Sequence, residues 1–390
     1  MNKIRNRKNL VVKLLILIEI AISLIGSMDM FSNFKEIFTS VQFMVLGLLL
    51  IEIIYSIHHN MKLYPDEFIG VGFIFFTVVS ILWSNNLNIY DYVTSCLQIV
   101  TAFIIYIANK RYGDADFDLI VMRMFRIMLC LDVILVSYQV LKLNINSDFS
   151  NGIFGSLNYY NGVQGLYCIV CCCYSLFLCF LNKQSKNLFI FDILICCLIC
   201  SLSEIKTFFF LIIPTILLYI LFVQKIERSV MKKFLRVLGI SIVIFFAFNI
   251  LGDFYGQNTA VFNNKKSLLQ YLGYRNEGYS RGTRFGDIEF FFSKDLNVIA
   301  LGNGFSEGIK SSVYGLSVLL NSIGVIGVAL LLLFFVEIII AAKKKSRFDF
   351  LFTTMCTAQC FIAEIVWAGI FGHIVSYFSF LMLAIVSRKR

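Results

Sequence analysis

The amino-acid sequence predicts an all-α, polytopic integral membrane protein of about 12 transmembrane helices with one large extracellular loop. Three observations predict it. The 390 residues are 59% hydrophobic and only 15% charged, and the mean hydropathy is +0.81, far from the mixed composition of soluble domains. Apolar runs of about 20 residues recur along the whole chain, the length a helix needs to cross ~30 Å of hydrocarbon. The runs are continuous, whereas the strands of a membrane barrel alternate in short segments.

The first apolar stretch, 10–28, follows a basic start of the kind that opens a signal peptide. It contains Lys13 and Glu19 and has no small-residue cleavage pattern, so it reads as a retained first helix. Further helices are expected at 37–57, 67–84, 89–108, 119–141, 159–181, 188–203, 207–224, 234–252, 312–341, 348–369 and 373–386. The seventh, LFIFDILICCLICSLS, is short. The tenth is long enough to tilt or break. Residues 1–390 thus form one membrane domain, and 253–311, a stretch of 59 residues, is its large loop between the ninth and tenth helices.

Basic residues orient the bundle. With the N-terminus cytoplasmic, 21 Lys and Arg fall in inside segments and 3 (Lys35, Lys142, Lys206) in short outside loops. That split follows the positive-inside rule. It places both termini inside and 253–311 outside. It also explains the net charge of +10 as a topology signal rather than a nucleic-acid footprint. Trp83, Tyr90, Tyr159, Tyr160 and Trp367 fall at outer helix ends, where amphipathic rings anchor at headgroup level.

Charges inside spans are costly in lipid and need a reason. Arg123 and Arg126 share a face of the fifth helix, near enough to its cytoplasmic start for long side chains to snorkel back; the structural reading is favoured for both. Asp132 shares a face with Gln139, which makes either a polar stripe between packed helices or a catalytic position, the stripe being favoured. The 12 cysteines all lie in spans. YCIVCCCYSLFLC lacks the spaced Cys and His pairs of metal sites, so these residues read as small hydrophobes, and no metal or other cofactor is expected.

The loop 253–311 holds 7 Lys and Arg and 6 Asp and Glu. A loop this long usually carries function. Within it, Phe285, Ile288 and Phe292 recur at the spacing of a helix laid apolar face down, with Arg281, Arg284 and Asp287 together on another face. Paired arginines form either solvated salt bridges or a fork for phosphate oxygens. Lys206, beside Glu204 at an outer rim, either neutralises that carboxylate or meets an anion. GNGFSEG follows no strand and is not a phosphate-binding glycine fingerprint.

Four passages resemble the Wzy-type polymerases of O-antigen and capsular polysaccharides, in the O-antigen ligase and polymerase superfamily. FSNGIFGSLNYYNGVQGLY (149–167) is similar to that family's Gly-x-Phe-x-x-x-Asn segment. SLSEIKTFFFLIIPTILL is similar to a short stretch opening a later span, with Lys206 near the usual arginine. SRGTRFGDIEFF is similar to the loop arginine region. ALGNGFSEG followed by LLNSIGVIGVALLLLF is similar to the Leu-Gly-x-Gly-Phe and Gly-Ile-Ile-Gly helix entry. Together they span roughly 145–340. There are departures: KSSVYGLSVLLNSIG lacks the histidine that ligases carry before this helix, and an arginine often found near the Asn segment is replaced around Asn151.

The resemblance implies a GT-C-like helical bundle in a bacterial cytoplasmic membrane. It implies a metal-independent glycosyltransferase that joins undecaprenyl-pyrophosphate-linked oligosaccharide repeat units at the outer face. Arg281, Arg284, Glu277 and Asp287 would be catalytic, and Lys206, Arg275 and Asn158 would bind substrate. Membrane lipid, a flippase and a chain-length regulator of the same pathway are the implied partners, with no nucleic acid. The alternatives are a lipid-linked-oligosaccharide flippase or transporter, which should show two similar halves, a ligase-type glycan transferase, and a histidine-dependent acyltransferase. From the charge split, a cysteine-accessibility tag at Asn263 should label from outside intact cells and one at Ser229 only after permeabilisation. Labelling of Ser229 in intact cells would overturn the twelve-span topology.

Overall fold

The computed structural model describes residues 2–26, 28–58, 62–84, 89–143, 150–155, 161–224, 274–275, 278–279, 284–304, 315–366 and 377–388. The first half is α1 (Asn2–Gly26), α2 (Lys35–His58), α3 (Pro65–Val79, continued as a 3-10 turn Ser80–Trp83), α4 (Ile89–Tyr112), α5 (Ala115–Leu141) and α6 (Asn161–Phe180). Then come α7 (Lys186–Leu202), α8 (Lys206–Leu218), a two-residue antiparallel pairing of β1 (Tyr274–Arg275) with β2 (Gly278–Tyr279), α9 (Arg284–Phe292) and α10 (Leu296–Leu301). The last are α11 (Gly315–Lys343), α12 (Arg347–Val366) and α13 (Phe378–Ser387). Each expected span overlaps one of these helices except 234–252, which lies outside the described residues, as does most of 253–311.

Local chemistry sets the helix starts. Asp114 caps α5 by accepting from Phe117 N at 2.9 Å, and Ser185 caps α7 by accepting from Leu188 N at 3.3 Å. α3 opens on Pro65, whose missing N–H is lost at no cost in a first turn. The short α7 is a helix of 17 residues, as expected. Pro214 interrupts the bonding of α8, which ends in a π turn over Tyr219–Val223.

Among the described residues, five helical segments are long and apolar enough to cross a membrane: Asn9–Gly26, Glu36–His58, Pro65–Trp83, Gly162–Phe180 and Leu316–Lys343. The chain is a helical membrane protein with its burial arranged accordingly. α6 is buried almost throughout, and every residue of α13 is buried. α4 packs on α13, where Phe103 meets Phe334 and Phe380 at ring separations near 5 Å. The peripheral helices leave apolar side chains outside: Met44 and Ile51 on α2, Phe68 and Phe75 on α3, Leu333 on α11. A soluble monomer rarely exposes so much apolar surface, whereas lipid accepts it.

One end of the bundle is a layer of buried ion pairs. Arg111 binds Glu67 at 2.6 Å and Lys110 binds Asp66 at 2.5 Å, tying the end of α4 to the start of α3. Arg388, just past α13, meets Asp118 of α5 at 2.6 and 2.9 Å and donates to Asn109 of α4. Lys345 donates to the carbonyls of Val386 and Arg388, and an exposed pair, Lys13 with the Asp114 carboxylate, lies outside this buried set. Lys110, Arg111 and Arg388, basic residues of the inside segments by sequence, are thus buried ion-pair partners. Arg126 also departs from expectation. It does not snorkel; its guanidinium binds Asp192 of α7 through two bonds at 2.7 and 2.8 Å, and Ser175 and Gln184 complete the network. The role is structural, as expected, but the partner is a helix rather than the interface.

Breaking a buried pair leaves an uncompensated charge at a cost of about 3–5 kcal/mol, whereas apolar replacement of both members is often tolerated. Arg388→Ala should therefore lower the thermal midpoint of the detergent-purified protein strongly. Asp118→Leu combined with Arg388→Met should recover most of the loss.

Candidate functional site

The helix ends opposite the ion-pair layer carry the irregular backbone. Asp132 and Gln139, the polar stripe of α5, hold the turn 150–155. Asp132 accepts from Ile153 N at 2.9 Å and from Gln164 Nε2 of α6 at 3.0 Å. Gln139 accepts from Gly152 N at 2.8 Å and donates to Gly152 O at 3.1 Å. Ser203, at the end of α7, donates to Ser150 O at 2.5 Å. Two of the passages singled out in the sequence, 149–167 and the one that opens α8, therefore meet. The stripe is the helix-packing device expected of it, and it also shapes a loop.

The two halves of the last passage meet at a broken helix. α11, long enough to break by its sequence, leaves helical geometry at Gly324 (φ 63°, ψ −173°). In an unbroken helix the carbonyls of Asn321 and Ser322 would accept from residues four further on. Here they accept from Asn303 N at 2.7 Å and Gly304 N at 3.1 Å, in the turn that follows α10. The approach demands glycine on both sides. Gly302 has φ +75°, and a Cβ on it would lie 2.6 Å from the Ser322 carbonyl; a Cβ on Gly324 would overlap the carbonyl of Ala300.

Side chains lock the same joint. Lys294, between α9 and α10, donates to Asn321 Oδ1 at 2.6 Å, and Asn321 Nδ2 donates to Ser317 O at 2.8 Å. Trp83 Nε1 donates to Leu301 O at 3.2 Å. Trp83 was expected at a headgroup; it is half-buried and anchors the glycine turn instead. Lys294 also sits where the first segment of α11 ends, the pole at which a helix dipole favours a cation. Lys294, Asn321 and Asn303 were not singled out in the sequence. The signal available was the Leu-Gly-Asn-Gly and Asn-Ser-Ile-Gly pair, each reading as a helix entry, with nothing to say that one caps the other.

The loop helix α9 forms, but its faces differ from the expected ones. Phe291 is fully buried and Asp287 is 7% exposed, four residues apart on the side packed towards α11, while Phe292 is 54% exposed. Asp287 therefore does not stand with an arginine face towards solvent, because the i and i+4 positions of this helix point inward. Arg284 is the first residue of α9, Lys206 the first of α8, and Arg275 lies on β1; their side chains lie outside the described residues. Arg281, Glu277 and Asn158 lie outside them entirely. Asn151 is buried in the turn held by Asp132 and Gln139. All twelve cysteines are free thiols, and Cys171, Cys172 and Cys173 are fully buried in α6.

No protein-family model matches the chain, and no curated protein sequence matches it either.

The joint makes its own prediction. Gly324→Ala and Gly302→Ala each introduce strain of about 1–3 kcal/mol as well as backbone overlap, and both should reduce folded yield and thermal midpoint. Gly72→Ala, in α3 with nothing within 4 Å of the added carbon, should be neutral or slightly stabilising.

Proposed function

We propose that this chain is a polysaccharide polymerase, a glycosyltransferase that joins polyprenyl-pyrophosphate-linked oligosaccharide repeat units at the outer face of a bacterial cytoplasmic membrane. In this reading twelve helices span the bilayer, both termini are cytoplasmic and 253–311 faces out. The observation that carries it is the way these passages come together at one end of the bundle. The first two are joined through Ser203 and Ser150, the two halves of the fourth meet at the break at Gly324, and the loop helix of the third packs on the same broken helix; both joints lie at the helix ends opposite the buried ion pairs. The basic ends are the cytoplasmic ones by the charge split, so the irregular end is the one a lipid-linked glycan would meet after translocation.

The chemistry follows from that placement. A hydroxyl oxygen of one lipid-linked unit attacks the anomeric carbon of the growing chain. The new C–O bond forms as the bond to the pyrophosphate oxygen breaks. The leaving group departs with the bonding electron pair, and its negative charge grows in the transition state. Preorganised cations there lower the barrier, electrostatic stabilisation being commonly the largest single term. Arg281 and Arg284 are the pair assigned to the pyrophosphate, with Arg275 on β1, Lys206 at the start of α8 and Asn158 binding the rest of the substrate. The hydroxyl proton passes to a carboxylate. Asp287 faces inward on α9 and suits the positioning of that helix, so Glu277 is the acceptor in this scheme.

The fixed joint gives α9 a defined seat: α9 packs on α11 and leads within a few residues to the clamped turn. A site that must hold two guanidiniums against a diphosphate benefits from such a seat, because small misplacements cost large factors in rate.

The test is Arg281→Lys, Arg284→Lys and Lys206→Ala, each scored for polymer ladder and for protein level in the membrane. A lysine keeps the charge but loses the fork, so each arginine variant should slow polymerisation about a hundredfold, or about 3 kcal/mol of transition-state stabilisation. In a deletion strain single lipid-linked repeat units should collect at the outer leaflet. Their absence there would point to a flippase, an intact polymer not transferred to its acceptor to a ligase, and wild-type ladders from all three variants would place the site elsewhere.

A further inference from the structure

The outward face of α5 carries a feature that the proposed reaction does not use. Arg123 is exposed, and among the described residues it has no hydrogen-bond or ion-pair partner. It opens a groove of about 480 Å³ whose described lining is Arg123, Arg126, Ile127, Cys130, Leu131 and Ile134. Arg126 turns inward and its charge is neutralised by Asp192, so one net positive charge stands at the mouth. Beyond it the wall is apolar. Ile127, Leu131 and Ile134 recur at helical spacing and are all exposed.

Depth and direction fit one kind of occupant. Arg123 lies eight residues, roughly 12 Å, from the start of α5, at the end of the bundle that holds the Asp118–Arg388 pair. Side chains on a helix lean towards its N-terminus, so the guanidinium reaches back to the membrane surface while its stem stays in hydrocarbon. The groove continues from Ile127 to Ile134, roughly 10 Å further into the bilayer. A cation at headgroup depth above an apolar channel matches an amphiphile with an anionic head and an extended chain.

We propose that this groove is a binding site for an anionic phospholipid of the leaflet at the ion-pair end, with the phosphate on Arg123 and one acyl chain along Ile127, Leu131 and Ile134. The site is separate from the irregular end of the bundle and does not depend on the reaction proposed above.

The test is native mass spectrometry of the full chain released from mixed micelles holding equal phosphatidylglycerol and phosphatidylcholine. Wild type should retain phosphatidylglycerol in preference to phosphatidylcholine. Arg123→Gln, at an exposed position without partners, should fold normally and reduce that retention about fivefold, the share of one surface cation. Leu131→Trp should reduce it with Arg123 intact by filling the groove. Equal retention of the two lipids by wild type, or unchanged retention in both variants, would overturn the site. So would displacement of phosphatidylglycerol by equimolar polyprenyl phosphate, which would make this a substrate-lipid site instead.

Discussion

A helix broken in an apolar surrounding leaves carbonyls that lipid cannot satisfy, and the rest of this bundle's irregular end is arranged around meeting that need. The amides of Asn303 and Gly304 take the place of the missing helical donors at Asn321 and Ser322. Non-helical backbone at membrane depth is tolerated only where protein or trapped water satisfies it. Once those two bonds are required, much else follows. The donor turn needs glycine to come close enough, α10 must end where it does, Trp83 holds the turn through Leu301, and Lys294 holds Asn321 on the broken helix opposite it. Because α9 packs on the same helix, the loop inherits a fixed seat from a backbone repair.

The other end solves a different problem by different means. There the charges of loop and helix termini are drawn inward and neutralised in pairs, which lets α13 sit buried along its whole length. Buried pairs of this kind add little net stability over apolar residues of the same shape, yet each member is costly to leave alone. Their effect is to fix which helix ends lie together. The contrast between ends, ion pairs on one side and backbone hydrogen bonds on the other, gives the bundle two chemically distinct faces. The proposed reaction uses the second and the proposed lipid groove lies nearer the first.

Most of the helical layout was legible in the sequence, because a run of about 20 apolar residues has few other uses. The length of 312–341 even pointed to a break. What periodicity could not show was partner choice. Arg126 reads as a residue near enough to the interface to reach water; that Asp192 lies on the adjoining face of α7 is a matter of helix rotation, which no span boundary encodes. Trp83 reads as an interfacial anchor for the same reason, its indole N–H having no visible acceptor until Leu301, 218 residues away, is brought to it. The inward face of α9 was misread because a nine-residue helix rich in Phe offers two apolar stripes, and burial selected the one holding Phe291. Of the candidate site, the loop arginines were legible as residue types in a suggestive order, and the frame that seats them was not.

The Asp118–Arg388 pair has a consequence for how the protein is made. Its members are 270 residues apart in the chain, so at ~5–20 residues per second the carboxylate is synthesised roughly 15–50 s before the guanidinium that will neutralise it. During that interval α5 has no native counter-charge at this position, and the core place of α13 is empty. The early helices therefore leave the ribosome as an open half-bundle that water, lipid headgroups or the insertion machinery must shelter. Closure comes with α13, which brings both the missing charge and the missing core.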